Sequence, residues 1–292
     1  MKDYLLRPGW RERRVRAGDV HLHLVEAGPE GGPLLILLHG FPEFWWAWRH
    51  QVGPLADAGW RVVAPDMRGY DLSDTPAGVE AYRADRLADD VAALADALGA
   101  ERFSLVGHDW GGIVAWHAAA RHAGRIDRLV IMDAPHPEVW TSFALRHPTQ
   151  ALRSWYVGWF QAPLLPEASL RPFGFAGLRA MMRGTARPGV FTDDVLDRYA
   201  EAWGRPGALT AMLNYYRALR LPGAGRVGRI TVPTLVMWGG RDAFLDLGIA
   251  REAVSLCDDG RLVVIDRATH WLHLEEPERV TGELLGFLDP AA

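Results

Sequence analysis

One aspartate stands where a strand is expected to turn sharply into a helix. The apolar run that ends at Val106 is followed by Gly-His-Asp-Trp-Gly at 107–111 and then by a helix-like segment from Ile113 to Ala120. Glycine at both flanking positions permits a tight turn that presents the central side chain, Asp109, clear of the sheet and near a helix N-terminus. A carboxylate placed there can attack carbon and form an ester on the protein. The alternative is an aspartate that only caps the helix.

Other nucleophiles lack a comparable context. The sequence contains no Gly-x-Ser-x-Gly, so ordinary serine-hydrolase chemistry has no obvious nucleophile. The only lysine, Lys2, is near the N-terminus, which argues against Schiff-base chemistry and against a phosphate loop ending in Gly-Lys-Ser/Thr. The single cysteine, Cys257, excludes an internal disulfide, a Cys-x-x-Cys pair and a multi-cysteine zinc site.

The composition favours a soluble globular protein that acts on small molecules. Of 292 residues, 49% are hydrophobic and 23% are charged, which excludes a disordered or fibrous chain. The 32 Lys and Arg residues against 36 Asp and Glu give a net charge of −4, the wrong sign for a nucleic-acid binder. Neither a secretion signal nor a membrane-spanning run is evident, so we expect a cytoplasmic location and no membrane partner. The oligomeric state stays open, with a homodimer among the alternatives.

Strands and helices alternate along most of the chain, which predicts a mostly parallel, doubly wound α/β sheet. An alternating pattern predicts an antiparallel hairpin over 15–25, at a sheet edge. Short apolar runs typical of buried parallel strands lie at 34–38, 61–64, 103–106, 129–132, 234–238 and 262–265. A helix is expected over 87–98, with Gly99 as its stop signal.

The alternation breaks between residues 136 and 225. This segment is rich in aromatic residues, arginine and proline, reads as several short helices, and ends in the run Leu-Pro-Gly-Ala-Gly at 221–225. The sequence therefore predicts a helical cap over 136–225, inserted into a core formed by 1–135 and 226–292.

Five short motifs together resemble the epoxide hydrolase and haloalkane dehalogenase group of the α/β-hydrolase fold family. They are His-Gly-Phe-Pro-Glu-Phe-Trp at 39–45, Asp-Met-Arg-Gly-Tyr-Asp-Leu-Ser-Asp at 66–74, the 107–111 motif, Gly-Gly-Arg-Asp at 239–242 and Ala-Thr-His-Trp at 268–271. The resemblance covers nearly the whole core. It implies an α/β-hydrolase fold with an inserted cap, and an enzyme that opens an epoxide to a vicinal diol or displaces a halide.

The family order of nucleophile, acid and histidine is met by Asp109, Asp242 and His270. An ester on Asp109 must be hydrolysed by activated water, and a neutral imidazole such as His270 can be the base. A carboxylate behind the imidazole fixes its tautomer and stabilises the imidazolium. Asp133, which follows the apolar run 129–132, is a second candidate for that acid. By resemblance, backbone N–H groups of Phe41 and Trp110 form the oxyanion hole.

The leaving group distinguishes the two reactions. An epoxide oxygen leaves as a basic alkoxide and needs a proton, which a tyrosine can supply at neutral pH. In epoxide hydrolases two cap tyrosines do this, and the similar motifs here point to Tyr156 and Tyr216, with Tyr215 as the nearest competitor of Tyr216. We therefore predict an epoxide hydrolase, with an apolar or aryl epoxide and water as its substrates.

A haloalkane or haloacid dehalogenase is the alternative. Trp110, Trp155 or Trp159 could donate an N–H to a halide, but Phe41 stands where haloalkane dehalogenases commonly carry asparagine. Trp110 and Ile113 occupy positions where similar fluoroacetate dehalogenases carry arginines, which disfavours a small acid. An inactive ligand-binding fold is a third hypothesis, although nucleophile, base and acid are all represented. No cofactor or metal is predicted. The candidate pocket residues are His39, Pro42, Trp155, Trp159 and Tyr215.

Overall fold

The computed structural model describes residues 6–222 and 226–289. Lys2 and the last three residues of the predicted 221–225 run lie outside the described residues. Eight strands form one sheet in the order β1-β2-β4-β3-β5-β6-β7-β8. The strands are β1 (Arg11–Ala17), β2 (Val20–Ala27), β3 (Leu34–Leu38), β4 (Arg61–Pro65), β5 (Phe103–His108), β6 (Ile126–Met132), β7 (Thr234–Gly239) and β8 (Gly260–Ile265).

The sheet confirms the predicted α/β fold. β1 and β2 pair as an antiparallel hairpin at one edge, and β2 is also antiparallel to β4. All other neighbouring strands run parallel. Every residue of β3 and β5 is buried, as expected for strands covered on both faces. The carboxyl ends of the parallel strands therefore meet along one edge of the sheet, where ligands bind in open α/β folds.

Helices connect the strands and cover the sheet. They are α1 (Val52–Asp57), α2 (Ala84–Ala97), α3 (Trp110–Arg121), α4 (Pro137–Arg146), α5 (Pro148–Arg153), α6 (Trp155–Trp159), α7 (Leu165–Leu170), α8 (Pro172–Thr185), α9 (Asp193–Trp203), α10 (Ala208–Ala218), α11 (Leu247–Ser255), α12 (Leu272–Glu275) and α13 (Pro277–Leu288). The apolar residues Leu87, Val91 and Leu94 of α2 are buried, and Gly99 follows the helix with a φ of 75°, as its stop signal requires.

The seven helices from α4 to α10 lie between β6 and β7, in the segment for which a cap is predicted. α8 is interrupted near its start, where Phe173, Gly174 and Phe175 have positive φ values. Within residues 6–222 and 226–289, no helix combines the length and apolar character that crossing a bilayer requires.

Backbone contact joins the loops that follow β7 and β8. A Cβ atom on Gly239 would lie 2.0 Å from the carbonyl oxygen of Thr269, a distance that real Cβ atoms do not tolerate. Gly239 thus lets the loop that carries Asp242 touch the loop that carries His270. The identity of residue 239 is therefore set by close approach between two loops.

The substitution Gly239→Ala is expected to lower the free energy of unfolding by about 1–3 kcal/mol, because the added methyl group forces the two loops apart. Turnover should fall with it. Gly286→Ala is the matched control, since Gly286 lies in α13 and an added Cβ would meet nothing within 4 Å. That change should be neutral or stabilise the protein by up to about 1 kcal/mol. Denaturant unfolding measures both, and equal stability of the two variants would contradict this account.

Candidate active site

Asp109 lies at the predicted strand-to-helix turn, directly after β5, and its backbone is strained. Its φ of 50° is rare for a residue with a side chain. Added Cβ atoms at Gly107 and Gly111 would lie 2.3 Å from the carbonyl oxygens of Gly111 and Leu38 respectively. Hydrogen bonds hold the turn, because the Asp109 N–H donates to Met132 O at 3.0 Å. The glycines therefore allow the turn, and the hydrogen bonds fix its direction.

Three predicted residues meet at this edge of the sheet. His270 Nδ1 lies 2.8 Å from Asp242 Oδ2, and His270 Nε2 lies 3.6 Å from Asp109 Oδ2. The other Asp242 oxygen accepts the N–H groups of Phe244 and Leu245, at 2.6 and 3.0 Å. Burial alone would lower the pKa of His270, but Asp242 and Asp109 outweigh it and hold this pKa well above its usual value. The imidazole is thus placed between two carboxylates.

Asp133, the competing acid, has a different environment. Its side chain is fully buried after β6, where Oδ1 accepts the Gly239 N–H at 2.9 Å. Burial and the neighbouring charge of Asp242 raise the pKa of Asp133 well above its usual value. The carboxyl group of Asp133 therefore favours the neutral form. Asp242, not Asp133, is the aspartate whose carboxylate is hydrogen-bonded to the ring of His270.

The predicted oxyanion donors border the carboxylate of Asp109. The Phe41 N–H donates to Asp109 Oδ1 at 2.7 Å. A Cβ on Gly40 would lie 2.4 Å from Asp109 Cβ, so glycine is needed for this approach. Trp110 is the first residue of α3, where backbone N–H groups have no partner within the helix. The backbone N–H groups of Phe41 and Trp110 thus belong to segments next to Asp109.

Two cavities border Asp109, with volumes of about 280 and 760 Å³. Tyr156 from α6 and Tyr216 from α10 line both of them, and their rings pack edge to face at 6.0 Å. Burial, followed by the charge of Asp109, raises the pKa of each tyrosine above its usual value. Both phenols therefore stay protonated at neutral pH. The hydroxyl of Tyr215, by contrast, donates to Arg68 O at 2.7 Å and is occupied.

The other pocket candidates divide into two groups. Trp155 and Trp159 line the larger cavity and are exposed, and Tyr215 lines the smaller one. His39 and Pro42 line neither cavity, so their placement in the pocket was wrong. His39 donates through Nδ1 to Gly40 O and accepts the Met67 N–H, each at 3.0 Å. The carbonyl oxygen of Pro42 accepts the indole N–H of Trp203 at 2.6 Å. Both residues therefore hold the loop that carries Phe41.

A buried pair of side chains positions His270 and was not assigned this role from the sequence. Glu43 Oε2 lies 2.9 Å from His108 Nδ1, and His108 Nε2 lies 2.8 Å from the backbone oxygen of His270. Burial would raise the pKa of Glu43, but His273 and His108 lower it well below its usual value. His108 thus connects the Glu43 carboxylate to the backbone of His270 through its two ring nitrogens. The sequence offered a signal for this pair, because Glu43 lies in the motif at 39–45 and His108 in the motif at 107–111.

His108 belongs to two groups of side chains whose spacing is typical of metal ligands. Ligand atoms of Glu43, His108 and His273 lie within 4.8 Å of one another, as do those of His108, Asp133 and His270. His108 already uses both ring nitrogens in hydrogen bonds to Glu43 and His270. The hydrogen bonds account for the first group without an ion, and the absence of a metal cofactor stays a prediction.

Comparisons with known proteins span nearly the whole chain. The sequence profile of the alpha/beta hydrolase fold family matches residues 33–277. The AB hydrolase superfamily protein YfhM of Bacillus subtilis (strain 168) is 45% identical over 275 residues, 94% of this chain and 96% of that protein. Epoxide hydrolase A of Mycobacterium tuberculosis (strain ATCC 25618 / H37Rv) is 37% identical, over 95% of this chain and 97% of that protein. A crystal structure of the Bacillus megaterium epoxide hydrolase with an inhibitor has a TM-score of 0.87 at 28% identity, and covers 95% of this chain and 100% of that one.

The geometry predicts that Asp242→Asn lowers turnover far more than Asp133→Asn. An amide at 242 leaves the imidazolium unsupported and its tautomer unfixed, which costs on the order of 10³–10⁴ in rate in a comparable triad. An amide at 133 keeps an acceptor for the Gly239 N–H, so a loss below about tenfold is expected, consistent with one retained neutral hydrogen bond. Single-turnover kinetics of both variants makes the comparison. The reverse ranking would assign the role to Asp133.

Proposed function

The chain belongs to the α/β-hydrolase fold family and is an epoxide hydrolase, and we propose that it opens the oxirane ring through a covalent ester on Asp109. One observation carries the proposal. The Asp109 carboxylate borders both cavities, together with Tyr156 and Tyr216, while His270 stands 3.6 Å from it. Nucleophile, proton donors and base therefore share one space.

In the first step, an Asp109 oxygen attacks a ring carbon and the carbon–oxygen bond of the oxirane breaks. The resulting alkoxide takes a proton from Tyr156 or Tyr216, which regains one later from solvent. The raised pKa of both phenols keeps this proton available. Because the tyrosines come from cap helices and Asp109 from the sheet, the oxirane is held between the two layers.

In the second step, His270 takes a proton from water, and the hydroxide adds to the carboxyl carbon of the ester. The tetrahedral oxyanion is stabilised by the N–H groups of Phe41 and Trp110. Its collapse releases the diol, whose oxygen takes the proton from the imidazolium, and the Asp109 carboxyl group then loses its proton to solvent. Esterification removes the charge of Asp109, one of the two charges that raise the pKa of His270. The neutral base is thus favoured once the ester has formed.

The substrate class follows from the cavity walls. Aromatic side chains surround the larger cavity, and they favour an apolar or aryl epoxide. Besides the two tyrosines, they are Phe41, Trp155, Trp159, Phe160, Phe244 and Trp271. Dehalogenation is not favoured, because a halide leaves without a proton and would not use the two tyrosines.

The proposal includes the organisation of the protein. We divide the chain into a core of 1–135 and 226–292 and a cap of 136–225, because the helices α4–α10 interrupt the sheet. Among the described residues, all eight exposed large apolar side chains lie within this cap range, which favours coverage by a second copy in a homodimer. A single cysteine suits a reducing compartment such as the cytoplasm. Sedimentation velocity tests the dimer.

Replacement of Tyr216 by Phe should slow alkylation of Asp109, and Tyr156→Phe/Tyr216→Phe should nearly abolish it, because the alkoxide then lacks its proton donor. Removal of one general acid typically costs on the order of 10²–10⁴ in rate. Stopped-flow tryptophan fluorescence with an aryl epoxide follows this step. Hydrolysis of any accumulated ester should keep its wild-type rate.

Tyr82→Phe is the matched control. Its hydroxyl donates to Pro76 O at 2.7 Å, and it lines the smaller cavity but not the larger one. Alkylation should be affected far less by this change than by the double substitution. Wild-type alkylation rates in the double variant would overturn the tyrosine assignment.

A further inference from the structure

The two cavities beside Asp109 share only a short stretch of wall. Asp109, Tyr156 and Tyr216 line both, and the rest of each wall belongs to different residues. An oxirane placed between Asp109 and the tyrosines therefore has space on two sides. This arrangement fits an epoxide that carries a substituent on each ring carbon.

The smaller cavity runs along one face of α3. Trp110, Ile113 and His117 line it, and they follow the i, i+3, i+7 spacing of a single helix face. Seven residues of helix span about 10 Å. Trp110 is at the end next to Asp109, so His117 stands at the far end of this wall.

His117 is a buried polar group that the protein leaves free. The residue is 5% exposed, and in the described part of the chain its ring has no hydrogen bond. Burial lowers the pKa of His117 to about 4. The charge of Asp85 acts to raise this pKa, whereas the charges of His136 and Arg121 lower it further. At neutral pH the imidazole is uncharged, with one nitrogen that donates and one that accepts.

We propose that the smaller cavity binds a substituent of the epoxide that ends in an uncharged hydrogen-bonding group, such as a hydroxyl, which pairs with His117. The bulkier apolar substituent then occupies the larger cavity. The inference rests on the proposed function, because it assumes that the oxirane lies at Asp109. It makes His117 a residue that determines substrate preference, with no part in the bond changes.

The preference is expected because leaving a buried polar group without a hydrogen bond costs more free energy than one hydrogen bond contributes on average. In the free enzyme, water can reach the imidazole through the cavity. A hydroxyl that replaces this water keeps the imidazole paired, whereas a methyl group leaves it unpaired and buried. The cavity should therefore discriminate against an apolar chain that fits equally well.

Two matched epoxides test the proposal. Both carry a phenyl group on one ring carbon and a straight chain of roughly six non-hydrogen atoms on the other, a length comparable to the helix wall. One chain ends in a hydroxyl and the other in a methyl group. Wild-type kcat/KM should be roughly five- to tenfold higher for the hydroxyl chain, the effect of one net hydrogen bond. This ratio is measured within each variant, so a general loss of folded protein cancels.

His117→Phe should reduce the ratio to about one, and His117→Gln should keep most of it, because an amide also donates and accepts. His122→Phe is the control, since His122 follows the same helix but bonds to Asp89 at 2.9 Å and lines neither cavity. It should leave the ratio unchanged.

The outcomes separate the two proposals. Equal wild-type rates on both epoxides, or a preference that survives His117→Phe, would overturn the inference about His117. A third epoxide, whose chain ends in a carboxylate, tests whether the site binds an anion. If the wild-type enzyme prefers this epoxide and His117→Phe loses the preference, the inference is also overturned. Failure to hydrolyse either epoxide, or styrene oxide, would instead contradict the proposed function.

Discussion

The rest of the site depends on how closely backbone segments approach one another around Asp109. Its positive φ directs the carboxylate away from the sheet. Glycines at 40, 107 and 111 make room for this turn, since a Cβ at any of them would lie 2.3 to 2.4 Å from a neighbouring atom. The same close packing brings the Phe41 N–H to 2.7 Å from the carboxylate. Strain at Asp109 is thus maintained by packing, and it orients the carboxylate that acts as nucleophile in the proposed reaction.

The charges around His270 connect the two steps of the proposed reaction. Two carboxylates stabilise its imidazolium in the free enzyme, and formation of the ester removes one of them. Asp109, Asp242 and His270 follow the carboxyl ends of β5, β7 and β8, so the parallel pairing of these strands brings them to one edge of the sheet. Helices α6 and α10 supply the tyrosines, which line both cavities together with Asp109. In the proposed reaction, positioning of the base thus depends on the sheet, and protonation of the leaving group depends on α6 and α10.

The sequence was sufficient where the signal was local. Alternation predicted the hairpin, apolar runs predicted the buried strands, and two glycines predicted the turn at Asp109. The order of the motifs favoured Asp242 over Asp133 as the acid, but each aspartate follows a parallel strand, and only the packed sheet shows that Asp242 reaches His270. Motif membership misplaced His39 and Pro42, since it does not show where a side chain points. The i+7 spacing from Trp110 to His117 was visible, but whether that face lines a cavity depends on how the cap packs.

The central claim is that Asp109 forms a covalent ester that His270 hydrolyses, and intact-protein mass spectrometry of His270→Gln tests it most directly. Without its base the variant should still be alkylated but should fail to release the diol. Incubated with a reactive epoxide, it should gain the full mass of the substrate, because ring opening loses no atom, and peptide mapping should place the addition on Asp109. An unmodified variant that turns over epoxides at the wild-type rate would contradict the claim, as would an adduct on any other residue.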